Sequence, residues 1–383
     1  MSRSGLVART GLTRSAIRGL IGEFVGAGLV SEERSEPLGT PGRPSSLVRL
    51  NPHGATVLAL EIAVDSLAVA VVGLGGDVLQ LIRVDRPRGH TSVDDILVDL
   101  AELVTTVRAR LPSSDLSSDP LIGFGVAVVG TVRRTDGFVS MAPNLGWTDV
   151  PLGSRLAQAL DTELPIAIAN EADLGALAEL HRGAAIGLDD VLFISGEVGV
   201  GGGIIIGGRP LTGVAGYGGE IGHIPVNPNG LPCRCGSSGC WETEIGEGAL
   251  LRLAGHRPDG GSAEVDAVLR EASAGSPMAL AALESIGRWL GFGLAGLVNA
   301  FNPELVVFGG MFGSLHPFVA ATVQAELDSR ALRASRDLVR IVPATLGVDA
   351  PLLGAAELAF EPLLADPATR LRPRPGSILG RDP

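Results

Sequence analysis

Residues 218–242 read GGEIGHIPVNPNGLPCRCGSSGCWE, and the rest of the chain is best understood outward from them. The stretch gathers His223, the acids Glu220 and Glu242, and all three cysteines of the chain: Cys233, Cys235 and Cys240. Three thiolates and one imidazole make a complete ligand set for a closed, tetrahedral structural Zn²⁺ site. The C-x-C spacing lets two thiolates face one metal across a tight turn, and Gly236 and Gly239 permit the sharp backbone path. A disulfide framework is the competing reading, but three is an odd number and no further cysteine is available as a partner. The stretch therefore predicts structural zinc. What Glu220 and Glu242 do beside it depends on the rest of the chain.

At 383 residues the chain is too long for one ordinary core, so two or three domains are expected. A hydrophobic share of 45% with 54 glycines reads as an α/β protein rich in tight strand-to-loop turns. No apolar run reaches the length of a membrane span, and the N-terminus lacks the apolar core of a signal peptide. Cysteines at metal spacing agree with a reducing compartment, so a cytoplasmic protein with no membrane partner is expected. The formal charge of −12 is uneven. Residues 1–50 hold seven Arg and four Glu, a net of +3, which leaves −15 for the remainder. A small basic module on an acidic body is the pattern of a head that meets nucleic acid.

That head is legible in order. Leu6 and Val7 belong to a short first helix, residues 10–12 turn, and Thr13 caps a second helix. Ile17, Leu20, Ile21 and Phe24 repeat at helical spacing as its buried stripe. Arg14, Ser15 and Arg18 fall at its start and outer face, where a recognition helix meets base edges and phosphates. Gly28 ends the helix, and a β-hairpin begins at Leu29-Val30 and returns through residues 47–50. Its tip contains Gly39, Pro41, Gly42, Arg43 and Pro44, with Arg43 a candidate phosphate or minor-groove contact. This is a winged helix-turn-helix over residues 1–51. Such a module normally has a further helix before this pair to close its core, and only four residues precede Gly5.

Beyond Asn51-Pro52 the texture changes. Residues 56–84 read as three adjacent strands with turns at Asp65-Ser66 and Gly75-Gly76. A helix over about residues 92–110 follows, then a nearly continuous buried strand at 121–130 of parallel-sheet type. Residues 142–153 read as a loop entering a helix, with Asn144 and Trp147 placed to face a ligand. A strand ends at Ala169, so Asn170, Glu171 and Asp173 stand at its carboxyl end, where open α/β sheets hold ligands. A second lobe repeats the pattern: strand, glycine-rich turn and strand over residues 190–213, the cysteine cluster, then three helices. A strand at 303–312 follows and runs into Gly309-Gly310, where a helix can start and aim its amides at an anion. The final helix includes residues 353–360 and is expected to pack back on the first lobe. The expected fold is a two-lobed α/β body of actin/hexokinase (ribonuclease-H-like) type, with lobes at 52–168 and 169–365. Residues 366–383 are expected to be a disordered tail.

With these motifs in this order, the chain resembles the ROK family, the group of repressors, open reading frames and sugar kinases. Residues 219–242 resemble the family's zinc and sugar signature, NPELVVFGG at 302–310 its second nucleotide-side motif, and GVGGGIIIGGRPLTG at 199–213 its glycine-rich stretch. The resemblance implies that Asn170, Glu171, Glu220, His223 and Glu242 bind the hydroxyls of a hexose or hexose derivative, and Asn144, placed to face a ligand, is expected to join them. His223 would serve the metal through one ring nitrogen and the sugar through the other.

The nucleotide side departs from the family's kinases. Their D-x-G-G-T turn is replaced by Glu61-Ile62-Ala63-Val64-Asp65, which puts side chains and an acid where phosphates would lie. Their E-N-D-A-N stretch reads Ala169-Asn170-Glu171-Ala172-Asp173, so the general base becomes a longer carboxylate. Their G-T-G reads Glu197-Val198-Gly199, without the hydroxyl and with another negative charge. All three changes harm a reaction that depends on positioning and charge stabilisation. The sequence therefore points to a non-catalytic, sugar-responsive transcriptional regulator, a repressor working as a homodimer or homotetramer on double-stranded operator DNA. The alternative is an ATP-dependent hexose kinase with Glu171 as general base.

Overall fold

The computed structural model describes residues 1–33, 46–89, 91–111 and 121–367. In the head, α1 (Arg3–Thr10) ends at Gly11, whose φ of 70° gives the left-handed turn that lets the chain reverse. The Thr13 hydroxyl accepts the amide of Ala16 and starts α2 (Arg14–Gly26). Ile17 and Ile21 are buried, but Leu20, read above as part of the same stripe, is 39% exposed. Among the described residues α2 is covered mainly by α1 and a hairpin, with Phe24 reaching the body, so the Leu20 side of the stripe stays open. That hairpin pairs β1 (Val30–Glu33) antiparallel with β2 (Leu47–Leu50). The wing tip, with Arg43, lies outside the described residues.

The first lobe runs β3 (Thr56–Ile62), β4 (Ser66–Gly73), β5 (Val78–Asp85), α3 (Val93–Ala109) and β6 (Leu121–Val128). It continues with β7 (Thr131–Arg133), β8 (Phe138–Ala142), β9 (Trp147–Pro151), α4 (Leu152–Ala159) and β10 (Ile166–Asn170). Its main sheet has the order β10-β6-β3-β4-β5, parallel between β10, β6 and β3 and antiparallel through β4 and β5. The segment expected as a loop contains β9, which pairs with β8 in a small sheet of order β7-β8-β9. Trp147 and Val150 are buried there while Thr148 and Asp149 are exposed, a short strand signal hidden between Gly146 and Gly153.

From β10 the chain enters α5 (Glu171–Arg182) and then the second lobe: β11 (Val191–Gly196), β12 (Val200–Ile206), β13 (Arg209–Pro210) and a 3-10 turn at Ile221–His223. Helices α6 (Trp241–Ile245), α7 (Glu247–Leu253), α8 (Ser262–Ser273) and α9 (Pro277–Phe301) follow. The chain then forms β14 (Leu305–Gly310), α10 (Met311–Arg330), α11 (Arg333–Arg336), β15 (Arg340–Pro343) and α12 (Ala350–Ala365). The sheet order is β13-β12-β11-β14-β15. The core of this lobe is formed by α9 and α10 against the sheet, with Trp241, Phe308 and Phe312 fully buried.

Helix α12 lies on the first-lobe sheet and along α5, and glycines let it approach. A Cβ at Gly125 would stand 1.8 Å from the carbonyl oxygen of Ala355, and one at Gly354 would stand 1.9 Å from that of Leu174. The head docks on the same layer, where Leu29 shares a core cluster with Phe360 and Leu363. From residue 368 the tail expected above lies outside the described residues. Among the described residues, no helix is long and apolar enough to cross a membrane.

Candidate functional site

The cysteine stretch folds as a knot of turns between the 3-10 turn at Ile221–His223 and α6. Two isolated bridges, Pro225 to Cys240 and Pro232 to Ser238, hold it flat. Gly239 adopts a φ of 68°, and a Cβ there would stand 1.7 Å from the carbonyl oxygen of Asn227, so only glycine fits. The ligand atoms of His223, Cys233, Cys235 and Cys240 all lie within 4.8 Å of one another. Cys235 Sγ and Cys240 Sγ are 3.7 Å apart, and Cys233 Sγ is 3.6 Å from His223 Nδ1. Tetrahedral Zn²⁺ with bonds of ~2.3 Å to sulfur and ~2.0–2.1 Å to nitrogen requires edges of ~3.8 and ~3.6 Å. The donor set and its spacing fit the metal. Burial pushes the Cys233 thiol up to about 12, so a cation is what would hold it as thiolate.

The acids next to the knot face the first lobe. Glu220 Oε1 accepts from Thr131 Oγ1 at 3.2 Å. Loss of water around its carboxyl raises the Glu220 pKa; His223 and the Thr131 bond oppose the rise, and Glu242 adds to it. Glu242, in the first turn of α6, accepts the amide of Val200 at 3.1 Å, and its other oxygen lies 3.6 Å from Cys233 Sγ. Gly199 leaves room between the lobes: a Cβ there would stand 2.5 Å from Glu242 Oε2 and 3.4 Å from Asn144 Nδ2. Asn144, Glu220, His223 and Glu242 thus form one polar group that spans the cleft.

Two other residues expected in that group stand differently. Asn170 caps α5, accepting from the amides of Ala172 and Asp173 while its Nδ2 donates to Gly130 O at 2.9 Å. Glu171, the next residue, has its carboxyl pushed well above the usual range by burial, then by Glu197, Glu61 and Asp65. It belongs electrostatically with Glu61, Asp65 and Glu197 rather than with Glu220 and Glu242. Trp147, read as facing a ligand, is buried instead, and its indole donates to Thr91 O at 2.9 Å. Residues that sequence reasoning did not place in the site include Thr131 and Arg234, whose Nη1 donates to Asn144 Oδ1 at 2.6 Å. Arg234 sits between two of the cysteines, which was its available signal.

On the nucleotide side a cavity of about 710 Å³ opens between the lobes, lined among others by Glu61, Asp65, Glu197, Gly310, Arg83 and Arg88. Ala63 and Val64 are buried in the β3–β4 turn, and Val198, in the β11–β12 turn, packs against the first-lobe core. Glu61 is 4% exposed and pairs with Arg83 at 2.9 Å. Burial raises its pKa against that arginine. Glu197 is exposed to the cleft, yet its carboxyl is walled by protein, and desolvation followed by Glu61 and Asp65 pushes it up to about 7. Gly309 and Gly310 close β14, and α10 begins at Met311 with its amino end toward the cavity. Glu61, Asp65, Glu197 and Glu247 thus share this cavity with Arg83 and Arg88.

The model of the ROK family matches residues 57–361. The chain is 30% identical to the xylose repressor of Bacillus subtilis over 95% of this chain and 92% of that protein. It is 35% identical to a glucokinase of Halalkalibacterium halodurans over 65% of this chain and 79% of that one. Among solved structures, a ROK family transcriptional regulator homologous to the E. coli MLC protein superposes with a TM-score of 0.76 at 26% identity, covering 97% and 94% of the two chains. A Streptomyces griseus glucokinase in complex with glucose and AMPPNP gives 0.67 at 30% identity, over 79% and 98%. With a family model spanning most of its length and relatives matched nearly end to end, this chain belongs to the ROK family.

Proposed function

We propose that this protein is a sugar-responsive transcriptional repressor: the head binds operator DNA, and the body binds a hexose or related sugar as effector. The observation that carries this reading is the contrast between the two halves of one cleft. The sugar half keeps a spanning set of hydrogen-bonding groups on a metal-ready knot. In the other half, Glu61 and Asp65 take up Arg83 and Arg88 in ion pairs and bulky side chains fill the turn, so the groups that would receive phosphates are occupied by one another.

His223, Cys233, Cys235 and Cys240 would hold Zn²⁺, which supplies no redox chemistry and fixes the backbone that carries Glu220, Glu242 and His223. Those three, with Asn144, orient sugar hydroxyls as acceptors and donors. Because these groups come from both lobes, a bound sugar draws the lobes together. The head rides on the layer formed by the first-lobe sheet and α12, so lobe motion can alter how the heads of a homodimer or homotetramer present α2 to DNA. Arg14, Ser15 and Arg18 are exposed on α2, as base and phosphate contacts require. The domain boundaries read from the sequence, near 51, 168 and 365, suit this division of work.

A kinase reading has one specific support, the 35% identity to a glucokinase with Glu171 as a surviving carboxylate at the start of α5. A coupled ADP-release assay with a hexose panel separates the two. The regulator reading expects no turnover above background, and a rate near one per second that Glu171→Gln abolishes would replace it by the kinase reading.

A further inference from the structure

Arg88 follows β5 in the first lobe, and its guanidinium reaches into the second. Its Nη1 lies 2.5 Å from Glu247 Oε1 and its Nη2 lies 3.0 Å from Glu247 Oε2, a two-pronged bond to the first turn of α7. The same guanidinium binds Asp65 from its own lobe, Nη2 at 2.8 Å and Nε at 3.1 Å. Glu247 is 4% exposed, and the guanidinium lies against Gly261, where a Cβ would stand 3.6 Å away. A planar fork held by two carboxylates in a recess is the strong geometry for an ion pair. Its place in the cavity matters more than its strength. It crosses the nucleotide half of the cleft, and one of its partners is the Asp65 that spoils the phosphate turn.

We propose that Arg88, with Asp65 and Glu247, is a latch between the lobes. It ties the lobes to each other at the wall of the cavity between them, so that the lobes meet at the sugar half without a nucleotide. The substitution at Asp65 then removes a phosphate site and supplies the inner anchor of the latch in one step. Arg83 runs parallel to it, joining Glu61 and Asp349, but its partners sit on the strand and turn that flank α12, so it does not reach α7. The latch keeps a large share of molecules in the closed arrangement, and a sugar that touches both lobes binds that arrangement. Apparent affinity scales with the population that is competent to bind.

This inference rests on the sugar-effector reading only for its second readout. The first is the distance between lobes in the sugar-free, full-length protein, measured by energy transfer between dyes placed through non-natural residues at exposed Val98 and Met278. Arg88→Gln and Glu247→Gln should each lengthen and broaden that distance, and the double variant should add little. Arg88→Lys, which keeps charge without the fork, should fall between. The second readout is calorimetric binding of xylose and of glucose, where Arg88→Gln should weaken the apparent Kd by about tenfold. Unchanged distances in both single variants overturn the latch. Lengthened distances in the variants, with wild type binding neither sugar, keep the latch and count against the effector reading instead.

Discussion

Arg234 Nη1 donates to Asn144 Oδ1 at 2.6 Å, and the bond joins the cysteine knot of the second lobe to the β8–β9 turn of the first. With the Thr131–Glu220 bond it bridges the proposed sugar half of the cleft from two sides. Asn144→Ala removes both the tether and an amide proposed to face the sugar. We expect a loss of about 10- to 100-fold in sugar affinity, the worth of one or two hydrogen bonds in a recess. Arg234→Ala should cost less, because Asn144 stays in place. Calorimetry on both variants checks the order, and a larger loss at Arg234 would contradict it.

The knot is built mostly of turns joined by two isolated bridges, so the proposed metal would add a large share of what holds it. Cys240 is fully buried, and its loss leaves three ligands. Cys240→Ala should abolish stoichiometric zinc and lower the melting temperature, and chelation of the wild type should do the same. Structural zinc contributes on the order of 10 kcal/mol in small domains at neutral pH, and a part of that is expected here. Elemental analysis beside a thermal scan reads both. A wild-type melt indifferent to chelator, with zinc removed, would count against a structural role.

Asp173 is buried and its carboxyl titrates at about 7, well above the 3.8 of an unperturbed group. Between those values the folded state holds a proton that the unfolded chain has released. Stability therefore falls as pH rises through this window, and the penalty is complete above the folded pKa. Asp173→Asn does not titrate and escapes it. At ~1.4 kcal/mol per pKa unit, the variant should gain a few kcal/mol on wild type between pH 4 and pH 8. Urea unfolding at the two pH values is the check, and parallel profiles would contradict it.

Arg14 and Arg18 stand exposed on the outer face of α2. Arg18→Ala should weaken binding to operator and to unrelated DNA alike if it meets phosphate, and should flatten the dependence of log K on log salt by ~0.9. If Arg14 reads a base edge, Arg14→Ala should cost ~1–3 kcal/mol on the operator alone. Anisotropy titrations across a salt series separate the roles.

Much of this fold was open to reading because its signals are local. Thr13 caps α2 as a hydroxyl just before a helical stripe, and β3, β4 and β5 are separated by short turns, the second at Gly75-Gly76. The metal ligands lie within 18 positions of one another, so their spacing alone brought them together. What escaped depends on tertiary context. The strand at Trp147 needed its partner β8 to be recognised, and the partner of its indole is 56 residues away. Leu20 follows the helical period yet stays exposed, since periodicity says which face a residue shares and nothing of what covers that face. Arg88 and Glu247 are 159 residues apart and carry no motif. The grouping of Glu171 with Glu61, Asp65 and Glu197 likewise arises only when the two lobes close.

The central claim is that sugar bound in the body changes how the head holds DNA. Anisotropy of labelled operator DNA with the full-length protein, titrated with xylose, glucose and a wider sugar panel, tests it most directly. The account predicts that at least one sugar shifts operator affinity by tenfold or more, and that Glu242→Ala abolishes the shift while leaving sugar-free DNA binding intact. Tight operator binding that no sugar alters would contradict it.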